Sequence, residues 1–309
     1  MNQYCAEFSP KIAQTLKQSL EFEKDFTMVP TEHTYVTPSV EVSNVLQPYQ
    51  YQFTPNNDAT FAGEEFTLKP GKVDLKFTQD ELEKFYDAWA CKWFDLGQSM
   101  MEKNPFSEYM LSTHIMPQLI QDWNMASWAG IRVEPTPGTP GTYLQSWNGY
   151  KKVITDLIAG SKVTPISTGA PVSGGMVDWV RDFCYGMPEL YRTAPGKIYM
   201  SATNAARYSE DYMEKYPRAI EVTNNPNAPI VRVDHFNKIV VGVNAMAGSN
   251  RIFFSPDSVN NNIIGTKRGK PVFPVFRFQE QDRVLKVLSE AWRFYGFEFP
   301  GHLYVNDQA

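Results

Sequence analysis

Apolar and polar positions alternate through residues 27–79 of this chain, and nowhere in that stretch do apolar residues recur at helical spacing. Pro30, Pro38, Pro48 and Pro55, with Pro70 further on, push their neighbours toward extended backbone, so the pattern predicts an extended segment. An arm of that length inside a compact domain would be an unusually long loop, and its aromatic and branched residues do not suit disorder. The reading is an arm and hairpin that become ordered by lying on other copies of the molecule. Upstream, Ser9 and Pro10 read as N-cap and first helical position of a short helix within Glu7–Phe22, with Ile12, Leu16 and Leu20 on one face.

Phe66, Leu68, Val73, Leu75 and Phe77 fall on one face around Pro70-Gly71, which predicts a two-stranded hairpin turning at the Pro-Gly pair. Such a hairpin is marginal alone, and Phe61 with Phe66 is its candidate aromatic anchor. Thr78-Gln79-Asp80-Glu81 reads as a capping box, and Leu82, Phe85, Tyr86, Trp89 and Trp93 then recur at helical spacing. Asn104-Pro105 opens a second helical stretch to about Ala129, which Pro117 should kink or divide. The Pro- and Gly-rich run Pro135–Gly141 predicts a boundary.

Beyond it, helices are predicted at Trp147–Ala159, Met176–Tyr185 and Thr203–Tyr216. Strands are predicted at Lys197–Met200, Ile230–Val233, Lys238–Val243 and Arg251–Ser255. Asp282–Phe299 mixes both periods, and its aromatics beside Gly296 favour strands. The class is α+β or α/β.

Net charge is −5 over 309 residues, so no global basic field draws the chain to nucleic acid or an anionic membrane. No window approaches a membrane span, and the first residues lack a basic stretch followed by an apolar run, which predicts an intracellular protein or one delivered without a signal. Cys5, Cys91 and Cys184 form an odd set without CxxC, the pattern of reduced thiols. An aromatic share of 14% favours large contact surfaces.

Candidate chemistry is sparse. His33, His114, His235 and His302 lie far apart, with no zinc spacing. Asp234-His235 could pair as orienter and base, but its apolar neighbours mark a strand end. Gly169–Gly175 lacks both the phosphate-loop lysine and the dinucleotide glycine spacing, so a turn is the better account. Glu64 and Glu65 are adjacent strand residues facing opposite ways, which suits a solvated hairpin edge and not a glycosidase pair. Asn260-Asn261-Asn262 reads as a loop. Seven tryptophans leave a sugar platform conceivable, although Trp89 and Trp93 share a helical face where core packing explains them.

The order of these elements, more than any one motif, resembles the HK97-type major capsid proteins of tailed bacteriophages. The strings that carry it are Trp147-Asn148-Gly149-Tyr150, Met187-Pro188-Glu189-Leu190-Tyr191-Arg192, Lys197-Ile198-Tyr199-Met200-Ser201, Arg251-Ile252-Phe253-Phe254-Ser255 and Tyr304-Val305-Asn306-Asp307. The resemblance implies an α+β, HK97-like fold: helix and arm over 1–50, E-loop hairpin over 51–77, spine helices of a peripheral domain over 78–141, an axial domain over 142–255, and return strands over 256–309.

It also implies pentamers and hexamers forming an icosahedral head, assembled in the host cytoplasm and resident in the virion. Inter-subunit contact would be made by Phe61, Glu64, Glu65, Phe66, Leu68, Val73, Leu75 and Phe77. Packaged DNA would be touched non-specifically, and separate scaffolding, portal or decoration proteins are candidate partners. No cofactor, metal, catalytic residue or membrane contact is implied. Only about 25 residues precede the arm, so scaffolding would come from a separate protein or from none. Lys69 and Lys72 lie in the hairpin without an identifiable asparagine partner, so no Lys–Asn cross-link is expected. An encapsulin-like nanocompartment shell is the nearest alternative, and a carbohydrate-active or glycan-binding protein the more distant one.

Overall fold

The computed structural model describes residues 12–38, 40–41, 46–54, 60–61, 63–94, 105–216, 231–233, 235–281 and 284–308. Ser9, Pro10, Cys5, Asn104 and Asp234 lie outside them, as do the side chains of Phe61 and Trp93. The chain divides into two units, each assembled from three separate segments. One holds Met1–Pro30, Lys69–Lys152 and Gly265–Phe294, the other Thr31–Leu68, Val153–Ile264 and Tyr295–Ala309.

In the first unit, residues 12–19 are helical. Leu16 and Leu20 are one turn apart and fully buried, as is Phe22. The Phe22 ring lies 6.4 Å from Trp128 and 5.1 Å from Tyr150. The Glu21 amide donates to the Asn124 side chain at 2.9 Å. This segment therefore takes its order from its own unit, which corrects the expectation that neighbours supply it. The physical reason is apolar burial together with Glu23, to which the Trp123 indole N–H donates at 2.7 Å. Arg293, equally buried, lies 3.9 Å from Glu23 and stacks its guanidinium 5.0 Å from the Trp123 ring.

The sheet belonging mainly to this unit has the order β1 (Thr27–Thr31), β11 (Asn262–Lys267), β13 (Val284–Phe297), β12 (Arg277–Gln281), with β6 (Lys69–Thr78) also on β13. The period-2 burial of Leu285, Val287, Ser289, Ala291 and Arg293 gives β13 one buried face. The strand reading of Asp282–Phe299 holds for this span. β6 runs antiparallel to it, from Lys69 opposite Arg293 to Thr78 opposite Val284.

The predicted turn at Pro70-Gly71 is thus a correction, because both residues lie inside the strand β6. Gly71 is needed for close approach: a Cβ there would stand 2.5 Å from the Trp147 ring. The Trp147 indole N–H donates to the Lys69 carbonyl at 2.9 Å, and Arg132 donates to that of Pro70 at 3.3 Å.

Helix α1 (Gln79–Phe94) starts as expected: the Thr78 amide and hydroxyl donate to Glu81 at 2.7 and 2.9 Å. The next helical stretch runs from α2 (Phe106–Tyr109) through a π-helical turn (Met110–Ile115) into α3 (Met116–Ala129). Pro117 lacks an N–H and crowds the carbonyl four residues back, and widening the preceding turn relieves both. The Pro135–Gly141 run is an exposed loop inside this unit and not a boundary. Backbone bonds from Ile131 to Leu144 and from Gly149 to Gly130 return the chain to the end of α3.

Helix α4 (Tyr150–Ala159) leads into the second unit. Its five-stranded sheet has the order β14 (Tyr304–Val305), β10 (Phe253–Pro256), β7 (Gly196–Ser201), β9 (Lys238–Val243), β8 (Val231–Val233). β7 and β9 are parallel and the other pairs antiparallel. Helices α5 (Met176–Tyr185) and α7 (Ala202–Lys215) join Ile198, Met200 and Phe254 in one core with Trp179, Phe183 and Tyr208, and the short α6 (Glu189–Arg192) buries no residue. Asn306 ties the end of the sheet: its carbonyl accepts from Arg251, its side chain accepts from the Ile252 amide at 2.9 Å, and its amide group donates to Asn250 O at 2.8 Å.

Candidate assembly surface

Within the second unit, β2 (Thr34–Val36) pairs with β5 (Glu65–Thr67), and β3 (Val40–Glu41) with β4 (Thr60–Phe61). The described hairpin strands are therefore residues 34–36 and 40–41 on one side and 60–61 and 65–67 on the other, further upstream than the sequence pattern suggested. Its base is fastened to its own unit. Tyr35 donates to Glu298 at 3.0 Å; burial first, and then this carboxylate, push its phenol up to about 12. Glu64 is ion-paired with Lys162. The Phe66 ring occupies the space left by Gly296, where a Cβ would stand 2.6 Å away.

The far end of the hairpin differs. Residues 42–57 hold no charged side chain, and Leu46, Tyr49, Tyr51 and Phe53 are 91–99% exposed. Gln47 donates to the Thr54 carbonyl at 2.7 Å, which closes the described part of the tip on itself. Single exposed apolar residues are ordinary, whereas an uncharged run of this kind is a contact surface waiting for a partner.

The eight residues expected to meet other subunits are divided between the two units. Phe66 and Leu68 are drawn into their own unit, Glu64 is paired, and Glu65 is exposed on β5. Val73, Leu75 and Phe77 share one face of β6, where Leu75 is 37% exposed and Phe77 packs edge-on against Phe85. Phe61 closes β4 by its backbone. The exposed tip aromatics were missed, although the charge-free run that holds them is visible in the sequence.

The first unit's sheet offers a surface of opposite character. Register places Lys76 opposite Lys286, Lys72 opposite Glu290 and Arg277 opposite Leu288, all on the face away from the buried side chains. Lys267 and Lys270 reach the same face, their ammonium groups 4.8 and 5.6 Å from the Trp292 ring. Asp74 and Glu290 are its carboxylates among the described residues, paired with Lys72 and Lys270. Cations outnumber them.

Several candidate groups among the described residues stand in structural roles. Trp89, Trp123, Trp128, Trp147 and Trp179 are buried, so these five offer no open sugar platform. The Gly169–Gly175 loop precedes α5, whose first amide already donates to the Asp211 carboxylate at 2.9 Å. Burial pushes the Cys184 thiol up to about 12, away from nucleophilic use. Lys238 is fully buried, donates to the Tyr191 and Ala194 carbonyls at 2.9 and 2.8 Å, and is pulled down to about 8 by desolvation. Among the described residues, no group of three or more His, Cys, Asp or Glu could hold a metal, and no helix is long and apolar enough to cross a membrane.

No protein-family model matches the sequence, and no curated protein matches it either. Solved structures do. A chain of the satellite phage P4 procapsid is 12% identical, with a TM-score of 0.60 over 96% of this chain and 90% of that one. A virus-like particle from Pyrococcus furiosus is 8% identical, with a TM-score of 0.53 over 97% and 100%. A holo encapsulin complex from Synechococcus elongatus is 10% identical, with a TM-score of 0.51 over 92% and 85%. The chain has the α+β, HK97-like capsid fold that the order of its elements suggested.

Proposed function

We propose that this chain is the major capsid protein of a tailed bacteriophage, a structural subunit that closes into pentamers and hexamers around the packaged genome. The observation that carries this reading is a shell-protein fold over nearly the whole chain, combined with an uncharged aromatic hairpin tip left exposed. A shell subunit needs area that fits a neighbour and no reaction centre, and heterologous contacts that close into rings supply it. Assembly in the host cytoplasm, residence in the virion, non-specific contact with DNA, and separate scaffolding, portal or decoration proteins belong to the same proposal.

Likeness to an encapsulin supports a second reading, a nanocompartment shell around protein cargo. Leu16 and Leu20 are buried in their own unit, so the N-terminal helix offers them to no cargo, which favours the genome-enclosing reading. Electron microscopy of particles purified from producing cells tests both. Icosahedral shells filled with double-stranded DNA support the capsid, shells filled with protein support the nanocompartment, and a chain that stays monomeric overturns both.

A further inference from the structure

Residues 188–195, which hold α6, contain no buried side chain, although Met187 before them and Gly196 after them are both buried. What fastens this stretch to the sheet of its unit is mostly polar. The Lys238 ammonium, on β9 and fully buried, donates to the Tyr191 and Ala194 carbonyls and lies 3.9 Å from the centre of the Phe254 ring. The Asp257 amide donates to the Pro195 carbonyl at 3.2 Å, and the Tyr191 ring rests 5.6 Å from Tyr304 and 5.4 Å from His302. Arg192 turns back on its own neighbours, donating to the Tyr185 and Met187 carbonyls. Leu190, the one aliphatic side chain of α6, is 76% exposed.

The three groups that touch the ammonium are neutral, so a full charge stands in the core without a counter-ion in contact. Two ionisable groups act on it from a distance: the Cys184 thiol of α5, held neutral by burial, and the exposed Asp257 carboxylate after β10. The elements packed around it also carry Glu189, Tyr191 and Arg192 on α6, Lys197 on β7, Arg232 on β8, and His302 with Tyr304 at β14.

We infer that residues 188–195 are a proton-driven latch: a neutral Lys238 holds it shut through the two carbonyls, and charge on Lys238 favours the open form, in which water reaches the ammonium. A cation taken out of water recovers only part of its solvation from two carbonyls and a ring. A neutral amine keeps two N–H groups for the same carbonyls and escapes that cost. Burial accordingly pulls Lys238 down to about 8 when the latch is shut, against an ordinary value of 10.5 in water. Between those values the open form holds a proton that the shut form has lost, so rising pH favours closure, by up to about tenfold per pH unit. Opening stays local because the stretch has little apolar contact to lose, and a four-residue helix does not persist off its support. The latch belongs to a single subunit and stands independently of the shell reading.

Pulsed trypsin digestion of the full-length chain, with cutting after Arg192 read by mass spectrometry, tests it. Rates are divided by those of a synthetic peptide of residues 186–196 in the same tube, which cancels the pH dependence of the protease. Wild-type cutting should fall about eightfold from about pH 7.5 to 9.0. Lys238→Met should give a flat profile. Cys184→Ala should keep the fall, since a thiol bared by opening would ionise as pH rises and work against it. A flat wild-type profile overturns the inference, as does an equal fall in Lys238→Met. Arg251, buried in the same unit, reports global unfolding, and cutting there as fast as at Arg192 overturns the local latch. If Lys238→Met does not fold, the wild-type profile decides alone.

Discussion

Residues 12–31 and residues 34–67 look alike in the sequence, both short of local partners and rich in apolar side chains, yet they spend those side chains in opposite ways. The first set buries Leu16, Leu20, Phe22 and Phe26 against its own unit. The second fastens only its base, through Tyr35, Glu64 and Phe66, and holds its tip aromatics out in water. Hydrophobic spacing tells that a segment will be covered; it does not tell by whom. What separates the two is a long-range polar partner: Glu23 finds Trp123 and Arg293, whereas the hairpin tip has no charge with which to find anything on its own chain.

The largest effect expected from this contrast is on assembly. Replacing residues 46–54 by a three-residue Gly-Ser-Gly turn should leave the melting temperature within about 2 °C of wild type, as for other exposed positions, and abolish shells in negative-stain micrographs. Shells from that variant would remove the tip from the interface. Phe22→Ala should do the reverse, costing about 3–5 kcal/mol in urea unfolding because a filled aromatic site is emptied. A loss below about 1 kcal/mol would return the N-terminal segment to the neighbours.

Arg293→Met should cost about 3 kcal/mol by removing a buried cation from beside the Glu23 carboxylate. Combining it with Glu23→Gln should recover part of that loss, since a neutral amide can still accept from Trp123.

The smallest effect concerns the hairpin base. Tyr35→Phe deletes one hydrogen bond to a carboxylate, worth about 1 kcal/mol, and should quicken proteolysis within residues 34–67. The folded state keeps the Tyr35 phenol neutral up to about 12 against an ordinary value of 10.0. Between those pH values the folded state holds a proton that the unfolded state has lost, so this contribution is complete below pH 10 and is lost as pH rises toward 12. Wild type should show that loosening in the same digestion assay, and Tyr35→Phe should not.

Elements whose partners are close in sequence were legible. Met176–Tyr185 and Lys238–Val243 match observed elements residue for residue, and Thr78 with Glu81 caps α1 as its spacing requires. What failed was decided at a distance. Pro70-Gly71 is the local signature of a turn, and nothing nearby reveals that Trp147 needs the glycine's missing Cβ or that β13 lies more than two hundred residues downstream. The exposed tip was missed for a different reason: its aromatics were counted toward an arm, while the telling feature was the missing charge.

One feature of the first unit governs how this chain is made. Glu23 is answered by Arg293, 270 residues later, and β1 and β6 likewise join strands translated near the end of the described chain. At about 5–20 residues per second, the ribosome needs roughly 15–50 s to close that gap. Trp128 and Tyr150, the ring partners of Phe22, are made well before it closes, whereas Arg293 beside Glu23 comes last. The polar anchor of this segment is therefore supplied only after residue 293 has been made.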